Sequence, residues 1–225
     1  MTNNTFDNLD MFNPAPRCPV TVLCDVSGSM SGQRIDELNA ALRQFIAETK
    51  GDEAASLSVD LEVITFNDTA QVVLPFTQMA DVNCPAPFIA SGMTSMGAAL
   101  TLAENDLKAR RKLYKEKGFS SYRPWVVLFT DGGPNDAWQG PAARLRSEAE
   151  RGKFTYIGVE IGSDADHATM CQILPAEPGP VKLKGLCFRQ FFRWLSDSLK
   201  SVSASAVSAQ DSVRYGSIGS WADLV

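Results

Sequence analysis

The chain has 225 residues, of which 44% are hydrophobic. This length and composition predict one sizeable core and are short for two independent domains. The formal net charge is −5, so a nucleic-acid-binding surface would require a concentrated basic patch. The nearest basic stretch, residues 108–118, also contains Glu116 and is interpreted as a solvated helix face.

Membrane and secretory functions are also disfavoured. The chain lacks a run of about eighteen apolar residues, so no membrane span is predicted. The amino-terminal residues have neither the basic region nor the apolar region of a secretory signal. Five cysteines without a C-x-x-C pair argue against a zinc site and a disulfide framework. We therefore expect a protein of the reducing cytoplasm.

The first half of the chain alternates between strand and helix patterns. Residues 1–18 are rich in Asn and then Pro and are predicted to be a flexible leader. A domain over 19–202 follows. It opens with an apolar strand that ends at Asp25, and a helix then runs from about Ile35 until Gly51 stops it. Residues 57–67 are predicted to be a strand, paired in a hairpin with residues 70–76.

The second half continues the alternation of strands and helices. Its predicted elements are a helix over 96–117, a strand over 125–131, a helix over 139–151, a strand over 153–162, a short helix over 164–173, an edge strand over 181–185, and a last helix with an apolar side that begins at Phe188. The Ser/Ala-rich residues 203–225 are predicted to be a flexible tail. The end of this tail would dock onto the domain through Trp221 and Leu224. Alternating strands and helices predict an α/β fold: a Rossmann-like, doubly wound, mostly parallel sheet with helices on both faces.

Oxygen-bearing side chains follow the predicted strands at one end of this sheet. In an open parallel sheet, ligands bind beyond the carboxyl ends of the strands, where the strand order reverses. Three segments bring five such side chains toward that rim: Asp25, Ser27, Ser29, Thr94 and Asp131. Hard divalent cations prefer oxygen ligands. The sequence therefore predicts a metal site made of two carboxylates and three hydroxyls.

The charge of this set indicates what the site would do. Two carboxylates balance a dication, and hydroxyls add ligands without adding charge. The ion would thus stay Lewis-acidic and attract one more anionic oxygen from a partner. Each motif alone has an ordinary structural meaning as a helix cap, a turn or a loop. Their order and their positions at strand ends favour the metal site.

The three motifs resemble a known site. The segments DVSGSM (25–30), GMTSMGAAL (92–100) and LFTDGGPND (128–136) are similar to the metal-ion-dependent adhesion site of von Willebrand factor A domains, over about residues 19–200. The resemblance implies Mg²⁺, with Mn²⁺ as an alternative, and recognition of a protein. It also implies that Ser27, Ser29 and Thr94 bind the metal directly, whereas Asp25 and Asp131 act largely through water or exchange with direct ligation.

A narrower resemblance concerns the bacterial tellurite-resistance TerY-like group. It rests on five segments, which lie at residues 18–46, 66–76, 91–100, 122–138 and 154–166. Members of that group are often encoded beside a protein kinase and a metal-dependent Ser/Thr phosphatase. The likeness implies a non-enzymatic cytoplasmic adaptor in a stress-response phosphorylation module.

Several other residues have both a functional and an ordinary structural interpretation. His167, the single histidine, is interpreted as an exposed residue at a helix start, with metal ligand or catalytic base as the alternative. Trp138 is either exposed beside the metal or packed at a helix start. Neither GSMSG (28–32) nor the Gly132-Gly133 pair matches a phosphate-binding loop. The tail serines are interpreted as part of a flexible segment rather than as phosphorylation sites: Ser201, Ser203, Ser205 and Ser208.

The sequence is also compatible with two other functions. The first is a metal-dependent hydrolase, such as a phosphatase, that uses the same carboxylates. Such an enzyme needs a positioned acid or base, or a second metal, and the sequence shows neither. The second is a structural subunit whose metal only stiffens the loops.

Overall fold

The computed structural model describes residues 9–162, 165–185, 187–204 and 222–224. Its elements, in chain order, are β1 (Cys18–Asp25), α1 (Gln33–Lys50), α2 (Glu53–Ser58), β2 (Val59–Phe66), β3 (Ala70–Gln78), α3 (Met96–Lys117), β4 (Trp125–Thr130), α4 (Gln139–Glu150), β5 (Thr155–Glu160), α5 (His167–Ile173), β6 (Pro180–Leu183), α6 (Phe188–Ser203) and β7 (Ala222–Leu224). Within the described residues, no helix is both long enough and apolar enough to cross a membrane.

The strands form one seven-stranded sheet in the order β3-β2-β1-β4-β5-β6-β7. The five inner strands are parallel, and the two edge strands β3 and β7 pair antiparallel to their neighbours. The strand order reverses between β1 and β4, which places the topological switch point beside Asp25. The predicted doubly wound α/β fold is thus confirmed.

Helices cover both faces of the sheet. One apolar cluster joins the sheet to α1 and α6 through side chains that include Leu38, Phe45 and Phe192. A second joins the opposite face to α3, α4 and α5 through Leu100, Leu145 and other side chains. The strands β1, β2, β4 and β5 are buried along their whole length because helices lie on both sides of the sheet, which explains their apolar runs. The apolar side predicted for the last helix belongs to the first cluster.

The amino-terminal segment differs from the predicted flexible leader. The side chain of Arg17 is fully buried and donates to Gln78 Oε1 at 2.7 Å and to the Leu57 carbonyl at 2.9 Å. Asn13 donates to the same Gln78 oxygen at 3.0 Å. These bonds fix residues 13–17 against the sheet, because buried polar groups require partners. Residues 1–8 lie outside the described part of the chain.

Three further predictions need correction. Residues 57–58 belong to α2 rather than to a strand, because Asp52 caps this helix by accepting from the Ala55 amide at 2.9 Å. Within the basic run 108–118, Arg110 is fully buried rather than solvated. β6, predicted to be an edge strand, is an inner strand because β7 of the carboxyl-terminal segment pairs with it. The predicted anchors Trp221 and Leu224 have no described side chains.

Candidate metal centre

Asp25 lies at the last position of β1 and is fully buried. Its Oδ1 accepts a hydrogen bond from the Ser27 amide at 2.8 Å. Its Oδ2 accepts one from the Thr130 hydroxyl, at the end of β4, at 2.6 Å. These neutral donors satisfy lone pairs of the carboxylate without cancelling its charge. Thr130 was not identified from the sequence, although it directly precedes Asp131.

A chain of hydrogen bonds connects the loop after β1 to the loop after β4. The hydroxyls of Ser27 and Ser29 lie 3.0 Å apart. The Ser29 hydroxyl donates to Asp131 Oδ1 at 2.7 Å. The structure therefore brings Ser27, Ser29 and Asp131 into direct contact across the switch point, with Asp25 beside them.

Thr94 reaches the same rim through its backbone. The Gly28 amide donates to the Gly92 carbonyl at 3.0 Å, and the Asn135 amide donates to the Thr94 carbonyl at 3.1 Å. The Thr94 amide in turn donates to Asn135 Oδ1 at 3.3 Å. The Thr94 hydroxyl itself enters none of the hydrogen bonds among the described residues. All five predicted side chains thus belong to three loops that are hydrogen-bonded together.

Two aspartates hold the Thr94 loop in place, and sequence analysis did not identify them. Asp68 accepts from the Met93 amide at 2.9 Å. Asp136 accepts from the amides of Gly97 and Ala98, both at 2.9 Å, and so caps α3 from another loop. Gly92 is required in this turn because its φ is +74° and a Cβ would lie 2.5 Å from Asp68 Oδ2.

The electrostatics of the site are unbalanced toward negative charge. Burial raises the pKa of the Asp25 carboxyl above its ordinary value; hydrogen bonds from Ser27 and Thr130 oppose this shift, and the nearby Asp131 carboxylate adds to it. Arg34, at the start of α1, forms an ion pair with Asp131 Oδ2. Its side chain is 24% exposed, so it is a partly solvated counter-charge. The role of Arg34 was not predictable from its position in the sequence.

The donor set fits a hard divalent cation. It consists of carboxylate and hydroxyl oxygens, which are the ligands that Mg²⁺ and Mn²⁺ take. Among the described residues, no group of three or more His, Cys, Asp and Glu side chains could hold a metal. Any site here therefore depends on the hydroxyls, and two carboxylates would leave a dication close to neutral.

The remaining candidates lie apart from this site. His167 begins α5, and its two ring nitrogens lie 2.7 Å from Glu160 Oε1 and 3.3 Å from Cys171 Sγ rather than beside the five oxygen donors. Trp138 packs against the second apolar cluster, in agreement with the interpretation as a packed residue at a helix start. Ser201 and Ser203, interpreted as part of a flexible segment, belong to α6, and Ser205 and Ser208 lie outside the described residues.

The doubly wound sheet and the oxygen donors at its switch point are typical of α/β domains that bind ligands at the carboxyl ends of their strands. Family comparison gives the particular family: the model for the von Willebrand factor type A domain matches residues 20–187. The chain therefore belongs to the von Willebrand factor type A domain family, a family of metal-dependent protein-interaction modules. No curated protein matches the chain in sequence.

Solved structures show the same fold at low sequence identity. A von Willebrand factor type A protein from Catenulispora acidiphila is 19% identical with a TM-score of 0.59, over 82% of this chain and 43% of that one. Proximal thread matrix protein 1 from the mussel byssus, solved with zinc in its metal-ion-dependent adhesion site, is 16% identical with a TM-score of 0.57, over 85% and 47%. The manganese-loaded TRAP protein of Plasmodium vivax is 18% identical with a TM-score of 0.51, over 79% and 73%. The chain thus spans less than half the length of the first two.

Proposed function

We propose that this protein is a non-enzymatic, Mg²⁺-dependent protein-binding module, for which Mn²⁺ can substitute. Ser27, Ser29 and Thr94 would bind the ion directly, and Asp25 and Asp131 would hold it through water or exchange with direct ligation. The observation that carries the proposal is the hydrogen-bonded convergence of Ser27, Ser29 and Asp131 beside buried Asp25. The ion would supply a Lewis-acidic centre for an anionic oxygen of the partner.

The surroundings of the site favour an acidic partner. A cleft of about 630 Å³ is lined by Arg34, which also pairs with Asp131, and by Lys182 and Lys184 at the end of β6. Asp223 of β7 lies in the same cleft, 2.9 Å from Lys184, which supports the view that the cleft accepts carboxylates. A protein segment with one acidic residue for the ion and further acidic residues for the cleft complements both features.

The segment that contains Thr94 also carries exposed apolar side chains that a protein partner could contact. Met93, next to Thr94, is 59% exposed, and Ile89 in the same segment is 84% exposed. Exposed large apolar residues near a polar site are typical of protein-binding surfaces. We infer that the partner presents apolar residues beside its metal-binding acid.

The cellular role that we propose is that of a cytoplasmic adaptor in a bacterial stress response. This proposal rests on the resemblance of five segments, including DVSGSM and LFTDGGPND, to the tellurite-resistance TerY-like group. A protein kinase and a metal-dependent Ser/Thr phosphatase are the proposed partners. A phosphoryl oxygen is the alternative to an Asp or Glu side chain as the group that completes the metal coordination.

Metal binding and partner binding are tested separately. Calorimetry with Mg²⁺ and Mn²⁺ should detect binding to the wild type and none to Asp25→Ala or Thr94→Ala. Affinity capture from native extract should recover partners only without chelator and only with the wild type. Lys182→Glu/Lys184→Glu should still bind metal and lose the partner. Equal recovery of the same partners with chelator, or by the metal-site variants, would contradict the proposal.

The non-enzymatic assignment has its own test. Purified protein with Mg²⁺ or Mn²⁺ is incubated with a phosphatase substrate, beside Asp25→Ala as the matched variant. We expect the two proteins to release phosphate at the same background rate. Release that depends on Asp25 would instead establish a metal-dependent hydrolase.

A further inference from the structure

A second cluster of reactive side chains lies at the end of β5 and on α5. The Nδ1 of His167 lies 2.7 Å from Glu160 Oε1, and its Nε2 lies 3.3 Å from the Sγ of Cys171. The three groups thus form a continuous hydrogen-bonded line of carboxylate, imidazole and thiol. His167 and Cys171 are four residues apart on α5, which places them one above the other on one helix face.

Solvent exposure increases along this line, from the carboxylate through the imidazole to the thiol. Glu160 is fully buried, and its second oxygen, Oε2, is a buried atom without a hydrogen-bond partner among the described residues. The His167 side chain is 42% exposed, and Cys171 is exposed. A buried carboxylate therefore orients the imidazole, and the imidazole faces a thiol that solvent molecules can reach. This is the arrangement that activates a nucleophile through an adjacent, oriented base.

The geometry does not describe a metal site. The imidazole stands between the carboxylate and the thiol and uses both ring nitrogens, so the three groups do not enclose a common point. This agrees with the result that no three His, Cys, Asp and Glu side chains among the described residues could hold a metal. The cluster also shares no residue with the five oxygen donors at the switch point.

We propose that Cys171 is an activated thiol that forms mixed disulfides with small-molecule disulfides. His167 accepts the thiol proton, and Glu160 stabilises the resulting imidazolium. The Cys171 thiolate attacks one sulfur of the disulfide, so that a new sulfur–sulfur bond forms and the original one breaks. The leaving thiolate takes the proton from His167. The net products are one protein mixed disulfide and one small thiol, and no further oxidant is needed.

The charged groups around the cluster come from three elements. Glu160 belongs to β5. Asp166, just before α5, accepts from the Thr169 hydroxyl at 2.6 Å, and from α4 Arg146 donates to the Cys171 carbonyl at 3.3 Å. The Arg146 side chain also pairs with Glu150 at 2.9 Å. The side chain in contact with the Cys171 sulfur is His167.

The chain contains its own control for this proposal. It has one histidine, so no other cysteine can have an imidazole partner. Cys84 is also an exposed free thiol and therefore measures ordinary reactivity in the same sample. Cys18 and Cys24 are buried, and burial raises the pKa of both thiols far above the ordinary value. They should stay unmodified in the folded protein.

The test compares modification rates at Cys171 and Cys84 by peptide mass spectrometry. The full chain is treated with iodoacetamide, and separately with oxidised glutathione, between pH 5.5 and pH 9. At pH 7, where only a few per cent of an ordinary thiol is ionised, we expect Cys171 to react about tenfold faster. The Cys171 rate should exceed the Cys84 rate with both reagents, because only Cys171 lies beside an imidazole.

His167→Gln is the informative variant, because it keeps a polar side chain at a half-exposed position and removes the base. It should lower the Cys171 rate to that of Cys84 and leave the Cys84 rate unchanged. Glu160→Gln should give an intermediate rate, and circular dichroism verifies that both variants fold. Equal rates at the two cysteines in the wild type, or an unchanged Cys171 rate in His167→Gln, would overturn the proposal. Neither result depends on metal binding.

Discussion

A buried aspartate lies near each end of the sheet, and the two differ in the charge of their hydrogen-bond partners. Asp60, near the amino end of β2, is fully buried beside the fully buried Arg110, whose Nη2 lies 2.8 Å from its Oδ2. The Tyr114 hydroxyl donates to the same oxygen. Asp25, at the carboxyl end of β1, is equally buried, but its hydrogen-bond donors are an amide and a hydroxyl. The counter-charge at that end, Arg34, is partly exposed.

This difference separates structural charges from functional ones. A buried charge is tolerated when a partner compensates the loss of hydration. At Asp60 the partner is a fixed cation, so the charge is neutralised within the fold. At Asp25 neutral donors orient the carboxylate and leave much of its charge available. A dication would complete this end of the sheet, whereas at the other end the cation is part of the chain itself.

The largest effect is expected from breaking the structural pair. Arg110→Met leaves Asp60 buried without its cation and should lower the free energy of unfolding by about 3–5 kcal/mol, as measured by chemical denaturation. Lys112→Met is the control, because Lys112 lies on the same helix in an exposed pair with Glu116 at 3.7 Å. It should cost less than about 1 kcal/mol. Similar losses in both variants would show that Asp60 does not depend on Arg110.

The next effect concerns metal affinity rather than stability. Asp25→Asn keeps the size of the side chain and removes its charge, so the affinity for Mg²⁺ or Mn²⁺ should fall at least about a hundredfold in calorimetry. Asp197→Asn, on the exposed side of α6, should bind metal like the wild type. Unchanged metal binding by Asp25→Asn would exclude the proposed site.

A smaller effect tests the cation at the functional end. Arg34→Gln removes the positive charge that pairs with Asp131, so metal affinity should rise about three- to tenfold, or about 1 kcal/mol. Arg189→Gln is the matched control, because that arginine lies 3.9 Å from Glu37 in a largely exposed pair. If metal affinity falls in Arg34→Gln, then Arg34 supports the site instead of competing with the ion.

The smallest effect involves a third buried acid, Glu62, in the middle of β2. Burial raises its pKa well above the ordinary value, and the neighbouring Asp106 carboxylate adds to the shift, while a hydrogen bond from Thr21 opposes it. The folded state therefore binds a proton that the unfolded state releases. The free energy of unfolding should decrease as the pH rises through the raised pKa of Glu62.

Glu62→Gln imitates the protonated acid and should remove this pH dependence. The wild type and the variant are compared by chemical denaturation at pH values from the ordinary pKa of a glutamate carboxyl upward, and the variant should become the more stable protein as the pH rises. Thr21 donates to Glu62 Oε2 at 2.9 Å, and a glutamine oxygen can accept the same bond. Parallel pH profiles for the two proteins would contradict the assignment of the proton to Glu62.

The sequence alone predicted the architecture because the elements carry strong local signals. The apolar run of β4 indicated a strand covered on both faces, and the helical spacing of α3 gave its bounds at Met96 and Lys117. The metal-site candidates were predictable for a related reason: parallel strands place their carboxyl ends on one edge, so residues that follow those strands must meet there.

Tertiary structure decided which charges have partners. Helical spacing places Arg110 on the same buried face of α3 as Leu107, but nothing local identifies Asp60 as its partner. Lys112 lies on the exposed side of the same helix. The same holds for Arg34 and Asp136, whose partners belong to other loops and helices. His167 and Cys171 share one face of α5, whereas the contact of His167 with Glu160 depends on how α5 packs against β5. Periodicity in sequence reports which face of an element is apolar. The identity of the charge opposite a given side chain depends on contacts between distant segments, and these exist only in the folded chain.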